Sequence, residues 1–290
     1  MSGIRNKRGG AKKEVDLGDM VRSGASGAYE ALQLYRSRAI RYKTKGDVDA
    51  SLRALADGAK CLLENNYENA GAELAELFVE LLSESNKVMT EDIRSLIDDV
   101  DCRFPSSSPK RIEYLKGCLK WTIATGTREQ GDPAIQTRLG ECLLVTGDRN
   151  AVFHFAAGEA PLALNKKIFE LYDKVEQQET RERTLTLGVV NFVALENLRD
   201  ANELMYNFLK MQKSLSFPTT SPLIKFCEYL LQTCRRDAAP LFKQLVNAYA
   251  SIVDFDDAVP TLLMGPIALR MFGIQPKVNP LMSMLQSMLS

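Results

Sequence analysis

The chain has 290 residues, 45% hydrophobic and 26% charged, which suits one large globular domain or two ordinary ones and excludes a chain disordered throughout. Its 37 basic and 37 acidic residues cancel, so no global field draws it to nucleic acid or an anionic membrane, and any charged contact has to be local. No apolar run approaches the roughly 20 residues that span a bilayer, the start of the chain lacks a signal-peptide stretch, and the six cysteines form no C-x-x-C pair; these features predict a cytoplasmic (cytosolic) chain with reduced thiols.

Residues 1–26 carry Gly, Ser, Lys and Arg without periodicity, so they lack apolar surface to offset the entropy of ordering and read as a disordered basic tail. Arg5, Lys7, Arg8, Lys12 and Lys13 would suit nucleic acid or a targeting signal, but a solvated tail needs neither. From Tyr29 onward the period is helical. The first helix gathers Arg36, Arg38, Arg41, Lys43 and Lys45 with Tyr29, Tyr35 and Tyr42. In the second, Val48, Leu52, Leu55, Ala59 and Leu62 form one apolar stripe, with Asp47 placed as its N-cap. The third turns Leu74, Leu77, Phe78 and Leu81 inward and leaves Glu73, Glu76 and Glu80 facing away. These charges read either as a docking face or as an ordinary solvated surface.

Further helices are expected over about 90–101, 109–126, 132–146, 149–156, 160–176, 180–196, 198–214, 221–235, 238–253, 256–272 and 278–289, parted by short Gly, Pro and Ser links. Short links force consecutive helices to lie antiparallel and adjacent. The expected fold is therefore all-α, a right-handed α-solenoid of helix hairpins, tetratricopeptide-like, in a single domain 27–290. Its N-terminal half covers about 27–150 and its C-terminal half about 151–290. Asp47-Val-Asp-Ala50, Asp148-Arg-Asn-Ala151 and Leu198-Arg-Asp-Ala201 mark similar helix starts, but no fixed period emerges.

The inventory for chemistry is sparse. There is no Walker A loop and no Gly-rich dinucleotide turn. His154 is the sole histidine, which leaves serine nucleophiles without an imidazole base and reads as a packed, hydrogen-bonded side chain. Asp98, Asp99 and Asp101 approach a D-D-x-x-D magnesium motif, but Cys102 stands at the completing position, so they read as a solvated helix end. No catalytic residue, metal site or cofactor is assigned. Towards the end, Leu262, Leu263, Met264, Ile267, Leu269, Met271, Phe272 and Ile274, followed by Leu281, Met282, Met284, Leu285, Met288 and Leu289, form more apolar surface than a terminal cap needs. Such a face suits a groove for a partner segment, or a last helix that folds back on itself.

Several stretches resemble, in order and spacing, the family of the fourth Golgi-to-ER-traffic protein, the scaffold subunit of the cytosolic machinery that delivers tail-anchored membrane proteins. The likeness is carried by Tyr29-Glu-Ala-Leu-Gln33 with Arg41-Tyr42, Gly71-Ala-Glu-Leu-Ala75 running into Leu77-Phe-Val79, and Cys118-Leu-Lys-Trp121. It continues in His154-Phe155, Leu198-Arg-Asp-Ala201, Arg236-Asp-Ala-Ala-Pro-Leu-Phe242 and Phe272-Gly-Ile-Gln275. The resemblance implies a non-catalytic adaptor with two protein partners. A targeting ATPase would dock on Tyr29, Arg36, Arg41 and Tyr42, with Glu73 and Glu80 as an acidic pair that modulates ATP hydrolysis. An apolar segment of a ubiquitin-like partner subunit or chaperone would be held on Phe217, Leu223, Phe226, Leu262, Phe272 and Ile274. The chain departs from the family in a shorter 101–110 connection and in leaving little room near 214–221 for a β-hairpin. A helical-repeat scaffold of another assembly, proteasome-lid-like or coat-like, and an all-helical enzyme stand as the other readings.

Overall fold

The computed structural model describes residues 16–275, and among these residues the regular structure is helical throughout. The chain divides into two compact units, Met1–Thr125 and Gly126–Ser290. The first contains α1 (Leu17–Arg22), α2 (Ala25–Thr44), α3 (Val48–Glu64), α4 (Glu68–Glu84), α5 (Glu91–Asp101) and α6 (Pro109–Thr125). The second contains α7 (Pro133–Val145), α8 (Ala151–Ala157), α9 (Pro161–Leu171), α10 (Gln178–Ala194), α11 (Leu198–Ser214), α12 (Pro222–Arg235), α13 (Ala239–Val253), α14 (Ala258–Leu262) and α15 (Ala268–Phe272). The boundary falls earlier than the expected division near 150.

One kind of turn recurs in both units. Gly46, Asn66, Gly147, Glu159, Glu196, Ser216 and Asp237 each sit at positive φ just after a helix. In each case the next residue's N–H reaches back across the turn, as in Asp47 to Tyr42 O at 3.0 Å, Tyr67 to Leu62 O at 2.9 Å and Asn197 to Phe192 O at 2.9 Å. This is the Schellman closure, which satisfies carbonyls that a helix end leaves open. Several helices then start on an oxygen cap or a proline: Asp47 accepts from Ala50 N, Asn197 from Asp200 N and Ser221 from Ile224 N, while Pro133, Pro161 and Pro222 open their helices; α4 and α8 have neither.

In the first unit, Ser51 Oγ near the start of α3 donates to Ala39 O late in α2, so these helices run antiparallel. Gly58 lets them close up, because a Cβ there would lie 2.6 Å from both Tyr35 and Leu74. Alternate helices run parallel, and their contacts keep a nearly constant spacing. Arg36 with Glu73, Lys87 with Asp49, Lys60 with Asp99, Arg103 with Glu64, Ser108 with Glu68 and Lys43 with Glu84 are separated by 37 to 41 residues. Two 17-residue helices with two such links account for that interval, which is the repeat period the sequence alone did not yield. The core holds Leu52, Leu62, Leu74, Phe78, Leu82 and Trp121, whose indole N–H donates to Lys87 O at 2.9 Å.

In the second unit α10 is the central element. Its residues 184–194 are all buried, with Leu185, Val189, Val190, Phe192 and Val193 fully enclosed. A helix apolar on every side has to sit inside, and α8, α9, α11, α12 and α14 all pack on it. Gly188 admits Leu204 and Leu164 where a Cβ would clash.

Four expectations need correction. Residues 17–22 of the supposed tail form α1, which buries Leu17 and Val21, and α2 begins at Ala25; residues 1–15 lie outside the described part. Leu77 is half-buried instead of inward. The helix expected over 160–176 ends at Leu171 and is followed by a 3₁₀ turn at Val175–Gln177. The helix expected over 256–272 is interrupted by a π-helical turn, Leu263–Ile267, around Pro266, whose ring nitrogen cannot donate. The segment 278–289, with its methionine stripe, lies outside the described residues.

Candidate partner-binding faces

The first face is carried by α2 and α4. Arg36, Ile40 and Lys43 stand at successive turns of α2 and look across to Glu73, Leu77, Glu80 and Glu84 on α4. Arg36 Nη1 donates to Glu73 Oε1 at 3.0 Å, and Lys43 pairs with Glu84. Between the two pairs lies a small groove of about 160 Å³ that exposes Ile40, with Leu77 and Glu80 among its lining. A larger groove of about 720 Å³ separates α4 from α6, where Glu73, Glu76, Glu80 and Glu113 stand against Lys110. The structure therefore gathers Arg36, Glu73 and Glu80. Tyr29, Arg41 and Tyr42 lie on α2 outside these grooves: Tyr29 is 64% exposed, Arg41 turns its Nε towards Ser37 O of its own helix, and Tyr42 is half-buried. Sequence reasoning missed Ile40 and Glu84, although the four-and-three spacing of both rows was visible.

The second set of residues does not form one surface. Leu223 and Phe226 are buried, and Phe226 packs on the Tyr249 ring at 5.6 Å, so both belong to the core and are withdrawn from the contact surface. Their apolar character signals burial as readily as docking. Leu262, Phe272 and Ile274 are half-buried around α14 and α15, with Phe272 stacked on Phe242 at 4.5 Å. The Ile274 N–H donates to Ala268 O at 2.8 Å.

Phe217 is separate from these residues. It lines a groove of about 520 Å³ with Leu162, Asn165, Phe169, Met211 and Leu215, between α9 and the end of α11. The Arg181 guanidinium lies 4.1 Å from the Phe217 ring centroid and donates through Nη1 to Tyr172 O and Lys174 O. Burial lowers the Arg181 pKa, while Glu182 and Asp173 oppose the shift. A further groove of about 400 Å³ runs between α12 and α13, where Tyr229 and Leu241 are exposed and Leu245, Tyr249 and Arg236 complete the lining. Beyond it, Met264 of the π turn is 57% exposed.

The groups considered for chemistry have structural partners. Asp101 is buried and bound by Arg111 through two hydrogen bonds of 2.8 and 2.9 Å, which corrects its reading as solvated, and Asp99 pairs with Lys60. His154 Nδ1 lies 2.6 Å from Gln136 Oε1. Cys118, Cys142, Cys227 and Cys234 are buried, Cys61 is half-buried and Cys102 is exposed. Among the described residues no helix is long and apolar enough to cross a membrane.

The family model described as Golgi to ER traffic protein 4 matches residues 45–289. Among curated proteins, the chain is 30% identical to protein GET4 of Arabidopsis thaliana, with 88% of each chain covered. It is 28% identical to Golgi to ER traffic protein 4 of Aspergillus fumigatus, covering 91% of this chain and 86% of that one. A solved structure, the crystal structure of C. therm. Get4, superposes with a TM-score of 0.77 at 24% identity over 94% of this chain and 93% of the other, a likeness of fold.

Proposed function

This chain belongs to the Golgi to ER traffic protein 4 family, and from that premise we propose that it is a non-catalytic adaptor in the delivery of tail-anchored membrane proteins. It works in the cytosol and binds a targeting ATPase through its first unit and a ubiquitin-like subunit or chaperone through its second. The observation that carries this reading is the contrast between faces: α2 and α4 present an exposed tyrosine with a row of charges, whereas the second unit presents apolar grooves. Charged rims govern encounter and salt dependence, while apolar anchors supply most binding energy, so two such faces suit two different partners. Family membership displaces the proteasome-lid-like and coat-like readings.

On the ATPase side, Tyr29, Arg36, Arg41 and Tyr42 form the anchor, with Glu73 and Glu80 as neighbouring carboxylates. On the other side the contacts are separate patches: Phe217 in the groove between α9 and α11, Tyr229 and Leu241 in the groove between α12 and α13, and Leu262, Phe272 and Ile274 around α14 and α15. Binding of the purified ATPase, followed by calorimetry at low and high salt, tests the first half. Affinity should fall with ionic strength, and Arg41→Glu should weaken it at least tenfold. Binding indifferent to both would remove the assignment. Leu241→Asp and Phe217→Ala should each weaken capture of the ubiquitin-like partner without affecting the ATPase.

A further inference from the structure

The two carboxylates assigned together as an acidic pair have different surroundings. Glu73 is held by Arg36 at 3.0 Å, and both side chains are a little under half exposed. Lys43 and Glu84 form a second pair one groove-length along, leaving Ile40 and Leu77 between them. Glu80 lines the grooves on both sides of α4 and makes no ion pair among the described residues. The cation expected to anchor a partner is thus already engaged by one carboxylate, while the other faces outward uncommitted.

We infer that Glu73 is an internal latch on Arg36, and that of this pair Glu80 is the carboxylate left free to meet the ATPase. The inference rests on the proposed function. Docking exchanges the Arg36–Glu73 pair for an Arg36 contact with a carboxylate of the partner. No covalent step is involved, and the exchange costs whatever the exposed pair contributes. Such pairs contribute little individually, so releasing Arg36 raises affinity about two- to fivefold. The effect must pass through Arg36: removing Glu73 helps only while the guanidinium is present.

The test uses the full chain and the purified ATPase, with dissociation constants measured for the wild type, Glu73→Gln, Arg36→Gln, the double variant and Glu80→Gln. These side chains are surface groups, and circular dichroism confirms that each variant folds. The expected result is that Glu73→Gln binds about two- to fivefold tighter, by the same release of an exposed pair. Arg36→Gln binds more weakly, the double variant matches Arg36→Gln, and Glu80→Gln, which frees no cation, weakens binding. Weaker binding by Glu73→Gln overturns the inference. So does a gain that survives in the double variant, or an equal gain from Glu80→Gln, which would mark a general charge effect. A wild-type chain that does not bind the ATPase overturns the proposed function itself.

Discussion

Arg181 joins two segments of the second unit by fastening the carbonyls of Tyr172 and Lys174 and stacking over Phe217, although its Nε and Nη2 have no hydrogen-bond partner among the described residues. Arg181→Met removes the donor to Tyr172 O and one of the two donors to Lys174 O, which keeps the Gln177 N–H, and should lower stability by about 2 kcal/mol, read from the shift in urea midpoint. The cysteines give a second test at this scale. Burial pushes Cys227 and Cys234 up to about 12, whereas an unfolded thiol ionises near 8.5. Their folded pKa values are raised, so above pH 8.5 the unfolded chain loses protons that the folded chain keeps. Their contribution is full below that pH and is lost as pH rises towards 12, by up to about 1.4 kcal/mol per pH unit for each thiol. Unfolding midpoints from pH 8 to 11 should show this decline, with a shallower slope in Cys227→Ala. At neutral pH an aromatic disulfide reagent should modify exposed Cys102 first, Cys61 more slowly and the four buried thiols only on unfolding.

The helices were legible from their apolar stripes because burial imposes that spacing directly, as with Leu52, Leu55, Ala59 and Leu62, all of which are buried. The repeat was not. Its punctuation is a single left-handed residue per turn, and glycine marks only Gly46 and Gly147; elsewhere Asn, Glu, Ser or Asp adopts the conformation under constraint from both helices. That constraint has a cost, so Glu196→Gly should stabilise the chain by about 0.5–1 kcal/mol, seen as a higher midpoint in chemical denaturation. An unchanged or lower midpoint would mean that the turn does not strain the backbone. The break at Pro266 was missed for the opposite reason, since the surrounding apolar pattern continues across it and outweighs the missing donor.

At the scale of the molecule, the proposed partners meet residues of different compact units. Sites without shared contacts behave additively, so saturating one partner should change the dissociation constant of the other by less than about twofold. A larger change measured in a ternary titration would show coupling between the units. The fold and the charged side chains of the first face could be anticipated from sequence, but their pairing could not, because Arg36 and Glu73 lie 37 positions apart along the chain. The apolar face was harder to read, since residue type does not distinguish buried Phe226 from exposed Leu241. The ladder between α3 and the α5 region, Asp49–Lys87, Arg53–Asp92, Lys60–Asp99 and Glu64–Arg103, also protects assembly from error. Near-identical apolar stripes would tolerate one helix sliding a turn along its neighbour. Slippage one way sets Asp49 against Asp92 and Lys60 against Arg103; slippage the other way sets Glu64 against Asp99. Individually weak surface charges thus act together as a vernier, marking the only alignment in which opposite signs meet.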